Sequence, residues 1–380
     1  MSAPAPWIVV AGDFVTTGGM DVANHALAAH LARSGRAPVL VAHRVADDLR
    51  ALPGVAVREV SRPLGSHLLG FPLLDRAGRR AARLDANTRV VANGGNCRAG
   101  TVCWLHYVHA AYRPEIAGRP LRRLVDAAAR RMALRDERAV ARNARVVVAN
   151  SGLTARHATE LLGAPPERVH VVYYGTDPAR FRPVEDNERD RARAALHLSG
   201  DEPTLAFVGA LGDRRKGFDI LFAAFAALCG DVNWDARLLV VGTGGELERW
   251  KRLAAERGLG DRVRFLGFQP EVRKVLAACD ALVSPTRYEA YGLAVHEALC
   301  MGLPAVVSRD AGVAERIDGP LRELLIGDPD DAGEVAARLL AWRAGVEEHR
   351  AAARALSETL RGWTWEHMAA RIVDIVEERG

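Results

Sequence analysis

The sequence predicts an α/β protein built from two Rossmann-like, doubly wound domains that face a cleft. Short apolar runs alternate with helix-period segments almost from end to end, a pattern typical of parallel sheets covered by helices on both faces. The series of apolar runs stops at a polar, charged stretch, residues 182–203, and then begins again. The length of 380 residues also exceeds that of a usual single domain.

The apolar runs predict seven strands in the first half and five in the second. In chain order these are residues 7–10, 38–42, 55–60, 89–92, 102–105, 146–149 and 169–172, then 204–208, 237–241, 263–266, 281–284 and 305–307. The last segment has Thr364 as a predicted N-cap and an apolar stripe behind it. We expect an N-terminal domain over 1–183, a C-terminal domain over 184–362, and a final helix over 363–380 that packs on the N-terminal domain.

Composition and charge exclude several classes of protein. The five cysteines are odd in number, widely spaced and form no CxxC, so neither a disulfide framework nor a zinc site is indicated. The N-terminus lacks a basic region before the short apolar run 7–12, and no run of eighteen apolar residues occurs, so a cytoplasmic protein is expected. The formal charge of +5 is spread along the chain without basic blocks interleaved with aromatics, and no nucleic-acid partner is expected.

The strongest chemical signal is a pair of glutamates eight positions apart, Glu289 and Glu297. A predicted strand ends just before them and a helix is predicted to begin near Gly292, which places Glu289 in a loop and Glu297 inside the helix. The first N–H groups of this helix, those of Tyr291, Gly292 and Leu293, form a ready site for a diphosphate. Carboxylates accept hydrogen bonds from sugar and ribose hydroxyls.

Six segments in order along the chain resemble retaining glycosyltransferase family four, whose members have the GT-B fold. The donor signature of that family, Pro-x-x-x-Glu-x-x-Gly-Leu completed by a second glutamate, is matched from Pro285 to Glu297. One departure lies in the family's Asn-Gly-hydrophobic-Asp stretch, where Tyr174 replaces the usual asparagine. The resemblance covers nearly the whole chain, and its segments are 150–154, 171–183, 265–268, 285–297, 301–306 and 365–366.

The resemblance implies the roles of the donor-binding residues. Glu289 contacts the hydroxyls of the donor sugar and Glu297 those of the ribose, and Ala290 belongs to the same donor-binding loop. The base lies against the loop at Gly267 and Phe268, where backbone groups are expected to recognise it.

The segment that begins at Gly209 resembles the family's Gly-Arg…Lys-Gly element, whose two cations neutralise the diphosphate leaving group. Lys216 matches the lysine, whereas Ala210 stands where the family usually has arginine. Arg214 or Arg215 is the candidate for the missing cation, with Arg215 preferred. A preorganised cation beside the developing charge of a leaving group is a major source of catalysis.

The N-terminal half holds two further segments at predicted strand ends. Gly18 and Gly19 follow the first strand and resemble the family's Gly-Gly loop, which lets the backbone approach phosphates and acceptor. His106 and His109 follow another strand and resemble the family's histidine at the donor sugar, with His106 the better match and His109 the alternative. Residues 93–96 also end a strand and are expected on the acceptor side.

Two segments imitate other kinds of site. Residues 242–245 suggest a dinucleotide loop, but Leu247 occupies the third glycine position, so a turn near the donor is favoured. Residues 328–330 spell the DxD pattern of metal-dependent glycosyltransferases, but Asp330 or Asp331 is better placed as the N-cap of the following helix. No metal and no other cofactor is therefore predicted.

The arginine-rich segment 119–145 is predicted to be helical and raises the prospect of weak peripheral contact with an anionic membrane. Acidic residues interrupt it and it contains no aromatic anchor, so a solvated helix face is the competing interpretation.

The predicted function is metal-independent transfer of a hexosyl group from a nucleotide sugar to an acceptor hydroxyl, with retention of the anomeric configuration. A UDP-sugar is the first choice of donor and a GDP-sugar the second. The acceptor stays open between saccharide, lipid and small natural product. Two alternatives are a GT-B epimerase of nucleotide sugars and a non-catalytic protein that binds them; the loss of arginine at Ala210 is the observation that favours the latter.

Overall fold

The computed structural model describes residues 5–83, 88–114, 120–198 and 202–379. The chain divides into two compact units, the first formed by Met1–Gly175 with Thr364–Gly380 and the second by Thr176–Trp363. The first division therefore falls at 175/176 and not at 183/184. The reason is tertiary packing, since Phe181 is buried in the apolar core of unit 2.

Unit 1 contains a seven-stranded, all-parallel sheet of order β5-β3-β1-β6-β7-β8-β9. The seven expected strands all form within one or two residues of their predicted ends. A separate two-stranded sheet, β2-β4, was not predicted because two-residue strands are too short to show a hydrophobic period. The strands are Trp7–Val10 (β1), Asp13–Phe14 (β2), Val39–Ala42 (β3), Arg44–Val45 (β4), Ala56–Glu59 (β5), Arg89–Asn93 (β6), Val102–Leu105 (β7), Val146–Ala149 (β8) and Val169–Val171 (β9).

Helices follow the strands of unit 1, and the apolar face of its sheet forms a core with their buried side chains. A π-helical turn, Ala158–Leu162, extends the fifth of them. The helices are Gly19–Arg33 (α1), Asp47–Arg50 (α2), His67–Ala82 (α3), Pro120–Asn143 (α4) and Gly152–His157 (α5).

Unit 2 contains a six-stranded, all-parallel sheet of order β12-β11-β10-β13-β14-β15. Its strands are Thr204–Val208 (β10), Arg237–Val241 (β11), Val263–Gly267 (β12), Ala281–Ser284 (β13), Ala305–Ser308 (β14) and Leu325–Ile326 (β15). Its helices are Asp186–Ala195 (α6), Phe218–Leu228 (α7), Leu247–Glu256 (α8), Val272–Leu276 (α9), Leu293–Cys300 (α10), Ala332–Ala344 (α11) and Val346–Arg361 (α12).

The C-terminal helix, Trp365–Arg379 (α13), packs on α1 within unit 1. Arg36 Nε and Nη2 donate to the two carboxylate oxygens of Glu377 at 2.8 and 2.9 Å. His30 Nδ1 lies 2.6 Å from Glu366 Oε1. The last helix of the chain therefore completes the first unit.

Both large sheets reverse their strand order at one point. The reversal lies between β1 and β6 in unit 1 and between β10 and β13 in unit 2. In open parallel sheets, ligands bind beyond the carboxyl ends of the strands at such a switch point. The loops after these four strands are therefore the places where function is expected. Within the part of the chain that the structure describes, no helix is both apolar and long enough to cross a lipid bilayer.

Candidate functional site

A compact ionic cluster lies at the switch point of unit 2, where the loops after β10 and β13 meet. Lys216 Nζ lies 2.6 Å from Glu289 Oε2, and Arg215 Nη1 lies 3.4 Å from the same oxygen. The three side chains are only 18 to 24% exposed. Both cations bond to Oε2, so within the described residues Glu289 Oε1 has no hydrogen bond and stays available to a ligand hydroxyl.

The loop that carries Glu289 is held by backbone bonds to the segment after β14. The carbonyl of Glu289 accepts from Gly312 N–H at 3.0 Å, and that of Tyr291 from Val313 N–H at 2.7 Å. Gly292 then turns the chain into α10 with φ 106°, a conformation that favours glycine. Residues 290 and 291 are buried, and the Tyr291 hydroxyl lies 3.1 Å from His296 Nδ1, so these two side chains do not face a ligand.

The first N–H groups of α10, beginning at Leu293, have no partner inside the helix and lie next in sequence to the Glu289 loop. Burial raises the pKa of Glu289, but the charges and hydrogen bonds of Lys216 and Arg215 outweigh it and hold that pKa below its ordinary value. The carboxylate is therefore ionised at neutral pH. An anion site at a helix N-terminus thus stands beside two cations and one hydrogen-bond-accepting carboxylate.

The turn that carries the two cations is fastened to the loop after β13. Arg287 N–H and the Thr286 hydroxyl both donate to the carbonyl of Arg215 at 2.8 Å. Asp213 caps the turn and also accepts from Arg215 Nε at 3.2 Å. Gly217 closes the turn at φ 72°, where a Cβ would lie 1.8 Å from the carbonyl oxygen of Pro285.

The two candidates for the cation missing at Ala210 occupy different places. Arg215 is largely buried and reaches Glu289, whereas Arg214 is exposed, and its carbonyl accepts from Arg287 Nη1. Ala210 itself is exposed in the loop after β10, next to Gly209. The geometry therefore places Arg215, and not Arg214, beside Lys216.

Glu297 lies in the second turn of α10 and is partly buried. Within the described residues its carboxylate has no hydrogen-bond partner. Burial raises the pKa of Glu297 to about 7, and the charge of Arg180 lowers it only in part. A desolvated, unpartnered carboxylate destabilises the free protein, and this cost is typical of a group that is completed by a ligand.

We expect Glu297→Gln to stabilise the protein at high pH. The pKa of Glu297 is raised in the folded state, so its contribution to stability is complete below about pH 4.5 and is lost as pH rises through 7. The variant should therefore melt at the wild-type temperature near pH 4.5 and at a higher temperature at pH 8. The gain in the free energy of unfolding at pH 8 should be up to about 3 kcal/mol. Glu358→Gln, an exposed exchange on α12, is the control. An equal gain at both pH values would contradict the assignment.

Two further loops of unit 2, at residues 267–268 and 242–245, follow strand ends as the sequence predicts. Gly267 ends β12 with φ 68°, and Phe268 beyond it is 73% exposed, so its ring is free to cover a planar ligand. The turn 242–245 packs backbone to backbone on the loop after β10, because a Cβ on Gly244 would lie 1.6 Å from the carbonyl oxygen of Leu211.

The DxD segment is occupied by structural contacts. Asp331 is the N-cap of α11, accepting from Gly333 N–H at 2.7 Å and Glu334 N–H at 3.2 Å. Asp330 pairs with Arg287 Nε at 2.6 Å. Of the two N-cap candidates, the structure therefore selects Asp331.

Unit 1 holds a cavity of about 770 Å³ at its own switch point, beyond β1, β6 and β7. His106, His109 and residues 93–96 line it, as do Met20 and Asp21 at the start of α1. Gly18 is the N-cap of α1, with φ 88°, and Gly19 is its first residue. The structure thus brings both candidate histidines to one cavity.

The two histidines have different surroundings. His106 is 9% exposed, with Nδ1 2.5 Å from the Tyr174 hydroxyl, and burial lowers its pKa to about 3, so the ring is neutral. His109 is 42% exposed and lies 3.0 Å from the buried Glu137 carboxylate, which also accepts from His109 N–H. Tyr174, which stands where the family usually has asparagine, is therefore the hydrogen-bond partner of His106.

Several cavity residues were not predicted from the sequence. Asp13 follows β1 by three positions, and strand-end reasoning could have found it. Arg62, Arg76 and Glu137 lie in segments without a motif, and only the folded chain brings them to this cavity.

The arginine-rich segment contributes a separate groove of about 600 Å³ along α4. Arg130 Nη2 donates to the carbonyls of His109 and Tyr112, so part of the basic face is structural. Arg119 and the side chains of Arg122 and Arg123 lie outside the described residues. Membrane contact through this face stays a prediction.

Comparison with known families agrees with the geometry of both units. The model of the family described as Glycosyltransferase Family 4 matches residues 17–180, and that described as Glycosyl transferases group 1 matches residues 188–355. The two models together match most of the chain, and both describe glycosyltransferases. The second match includes the cations of the turn after β10 and both glutamates, and the first includes both candidate histidines.

Two curated relatives of this chain are D-inositol 3-phosphate glycosyltransferases. The chain is 36% identical over 234 residues to D-inositol 3-phosphate glycosyltransferase 1 of Catenulispora acidiphila. This match covers 57% of this chain and 55% of the relative. The chain is 33% identical over 237 residues to D-inositol 3-phosphate glycosyltransferase of Nocardia farcinica. This match covers 60% of this chain and 51% of the relative. The chain thus spans about half the length of these curated relatives.

Solved structures show that this chain has the GT-B fold. WaaG, a glycosyltransferase involved in lipopolysaccharide biosynthesis, aligns with a TM-score of 0.78 at 19% identity over 97% of this chain and 99% of that one. Sucrose-phosphate synthase of Thermosynechococcus elongatus aligns with a TM-score of 0.77 at 21% identity over 99% of both. Anabaena HepE in complex with UDP aligns with a TM-score of 0.72 at 19% identity over 99% of this chain and 100% of that one.

Proposed function

We propose that the protein is a retaining, metal-independent glycosyltransferase that moves a hexosyl group from a nucleoside-diphosphate sugar to an acceptor hydroxyl. The observation that supports it best is the cluster of Lys216, Arg215 and Glu289 beside the N-terminus of α10. The cluster combines an anion site with a hydroxyl-accepting carboxylate, which are the two features that a sugar diphosphate requires.

Each residue of the cluster has a distinct task in the proposed reaction. Lys216 and Arg215 stabilise the charge that develops on the diphosphate as the glycosidic bond breaks. Glu289 orients the sugar through its unoccupied Oε1. The acceptor hydroxyl attacks the anomeric carbon from the face that the diphosphate leaves, and a phosphate oxygen takes the hydroxyl proton, so atoms and charges balance without a protein base.

We assign the remaining donor contacts to Glu297, Gly267 and Phe268. Glu297 accepts hydrogen bonds from the ribose, and binding returns to its carboxylate the partners that it lacks in the free protein. Phe268 and the backbone at Gly267 contact the base. UDP is the first candidate, supported by the likeness of fold to a protein solved with UDP, and GDP is the second. Lys216 and Arg215 supply the positive charge that a divalent metal ion supplies in metal-dependent glycosyltransferases.

Nucleotide selectivity provides the test of this function. UDP, GDP, ADP and dTDP should be compared by thermal unfolding, each with Mg²⁺ and with EDTA. One diphosphate should raise the melting temperature selectively, and by the same amount with Mg²⁺ and with EDTA. At a ligand concentration of one hundred times Kd, the free energy of unfolding should rise by about 2.7 kcal/mol. A shift that needs Mg²⁺ would contradict metal independence.

The two alternatives predict different results. A protein that lost its donor site with the arginine at position 210 shows no shift with any diphosphate. An epimerase converts a nucleotide sugar without acceptor, so analysis of products from donor alone identifies it. A transferase should release free sugar slowly from donor alone and form no epimer.

A further inference from the structure

The side chain of Arg287 joins three segments that surround the ionic cluster of unit 2. Its Nη1 and Nη2 donate to the two carboxylate oxygens of Asp219 on α7 at 2.8 and 2.9 Å. Its Nε donates to Asp330 Oδ1 at 2.6 Å, just before α11, and its Nη1 also donates to the carbonyl of Arg214 in the turn after β10. A guanidinium presents its donors in a fixed planar fork, so these bonds fix both the place and the direction of the group.

The same contacts keep the charge of Arg287 away from a ligand. The side chain is 17% exposed and forms ion pairs with two carboxylates, those of Asp219 and Asp330. The hydrogen bond to Asp219 outweighs burial and raises the pKa of Arg287 further above its ordinary value, so the group is a permanent cation. Arg287 therefore acts on the protein around it and not on substrate.

The turn that Arg287 contacts carries both cations of the ionic cluster. It is a single turn of 3₁₀ helix, Arg214–Lys216, which Asp213 caps and Gly217 follows. A helical piece of this length has few hydrogen bonds of its own, and its consecutive cations repel one another. Contacts from outside the turn must therefore set the directions of Lys216 and Arg215.

Arg287 supplies such contacts from the loop that also carries Glu289. Its side chain binds the carbonyl of Arg214, and its backbone N–H donates to the carbonyl of Arg215 at 2.8 Å. Glu289 follows two positions later and accepts from Lys216 and Arg215 at 2.6 and 3.4 Å. The bonds of Arg287 thus fix the cation-bearing turn against the carboxylate-bearing loop, and its bonds to α7 and to the segment before α11 hold that loop in place.

We propose that Arg287 is a positioning residue, which holds Lys216 and Arg215 in the directions that the diphosphate requires without touching substrate itself. Asp330 supports this role because it anchors Nε of Arg287. The effect on transfer rests on the proposed function. The placement of the two cations beside Glu289 is a property of the free protein, and it is tested without a ligand.

The first test measures the pKa of the Glu289 carboxyl by NMR titration of protein labelled with carbon-13 at the glutamate carboxyl groups. The signal is assigned by its loss in Glu289→Gln. Burial raises this pKa, but Lys216 and Arg215 outweigh burial and hold it below its ordinary value. Arg287→Lys keeps the positive charge but lacks the fork, so the turn should move away and the pKa of Glu289 should rise by about one pH unit or more.

Arg343→Lys is the matched control. Arg343 on α11 also donates to both oxygens of an aspartate, Asp235, at 2.8 and 2.7 Å. Asp235 precedes β11, at the opposite edge of the sheet from the ionic cluster. This exchange removes the same kind of fork and should leave the pKa of Glu289 unchanged.

Asp330→Ala is a milder variant for the case that Arg287→Lys does not fold. It removes only the anchor of Arg287 Nε, and the Asp330 carboxylate is 65% exposed, so little stability is lost. The pKa of Glu289 should rise, by less than in Arg287→Lys. Melting temperatures verify the fold of each variant. The proposal is wrong if the pKa of Glu289 keeps its wild-type value in every Arg287 and Asp330 variant that folds.

The second test shows whether this placement matters for the reaction. Release of UDP from UDP-glucose without acceptor should fall about tenfold or more in Arg287→Lys. In a Lys216→Ala background the same exchange should lower the rate about threefold or less, because a residue that acts through Lys216 loses most of its effect with it. An unchanged rate, or equal losses in both backgrounds, would contradict the proposal.

Failure of this inference and failure of the proposed function are separable. If the pKa of Glu289 rises in Arg287→Lys although none of the four nucleoside diphosphates binds, Arg287 positions the cations and the transferase assignment falls. If a nucleotide binds and donor is hydrolysed but Arg287→Lys behaves as the wild type in both tests, the transferase assignment stands alone.

Discussion

Replacing Lys216 by alanine is expected to lower kcat for hexosyl transfer by two orders of magnitude or more, about 2.7 kcal/mol of transition-state stabilisation. The ammonium is fixed 2.6 Å from Glu289 Oε2 in a partly buried cluster, where a charge acts more strongly than in water. Glu289→Ala should have an effect of similar size because the sugar loses its orienting carboxylate. Release of nucleoside diphosphate from the preferred donor, measured at saturating donor, provides the rate.

The matched control for Lys216 is Lys251→Ala. Lys251 also pairs with a glutamate, Glu248 at 2.8 Å, but on the exposed surface of α8, where an ion pair contributes little. This variant should keep the wild-type rate. Near-normal turnover in both Lys216→Ala and Glu289→Ala would refute the site assignment.

Gly217→Ala is expected to produce the largest loss of stability among single exchanges near the site. A methyl group there would lie 1.8 Å from the carbonyl oxygen of Pro285, so the backbone of the turn or of the loop after β13 must move. Strain at positive φ and the clash together should cost at least about 3 kcal/mol. The measurement is the melting temperature, together with the affinity for the selected diphosphate.

Gly258→Ala separates the two causes. Gly258 has φ 67°, nearly the same as the 72° of Gly217, but a Cβ there meets nothing within 4 Å. This variant should lose only the conformational part, about 1–2 kcal/mol, and should bind the diphosphate as the wild type does. Equal losses in both variants would show that the contact with Pro285 is unimportant.

The parts of the fold that the sequence predicted are those with a strong hydrophobic pattern. The long central strands, for example Val146–Ala149, lie close to their predicted bounds because parallel strands buried on both faces are continuous apolar runs. The two-residue strands escaped prediction, as did the division of the units at 175/176. That division depends on which core accepts Phe181, and a local pattern cannot show this.

The sequence alone determined the two doubly wound sheets, the resemblance to glycosyltransferases and the residue types of the candidate donor site, because glycines at strand ends, the E-x7-E pair and Lys216 are local in the chain. Only the tertiary structure decided which arginine stands beside Lys216, since Arg214 and Arg215 are neighbours in sequence and the direction of each depends on the loop after β13. It also decided that Asp13, Arg62, Arg76 and His106 line one cavity. These residues are distant in sequence. The parallel sheet brings the strand ends before Asp13, Arg62 and His106 to one edge, and Arg76 joins them from α3.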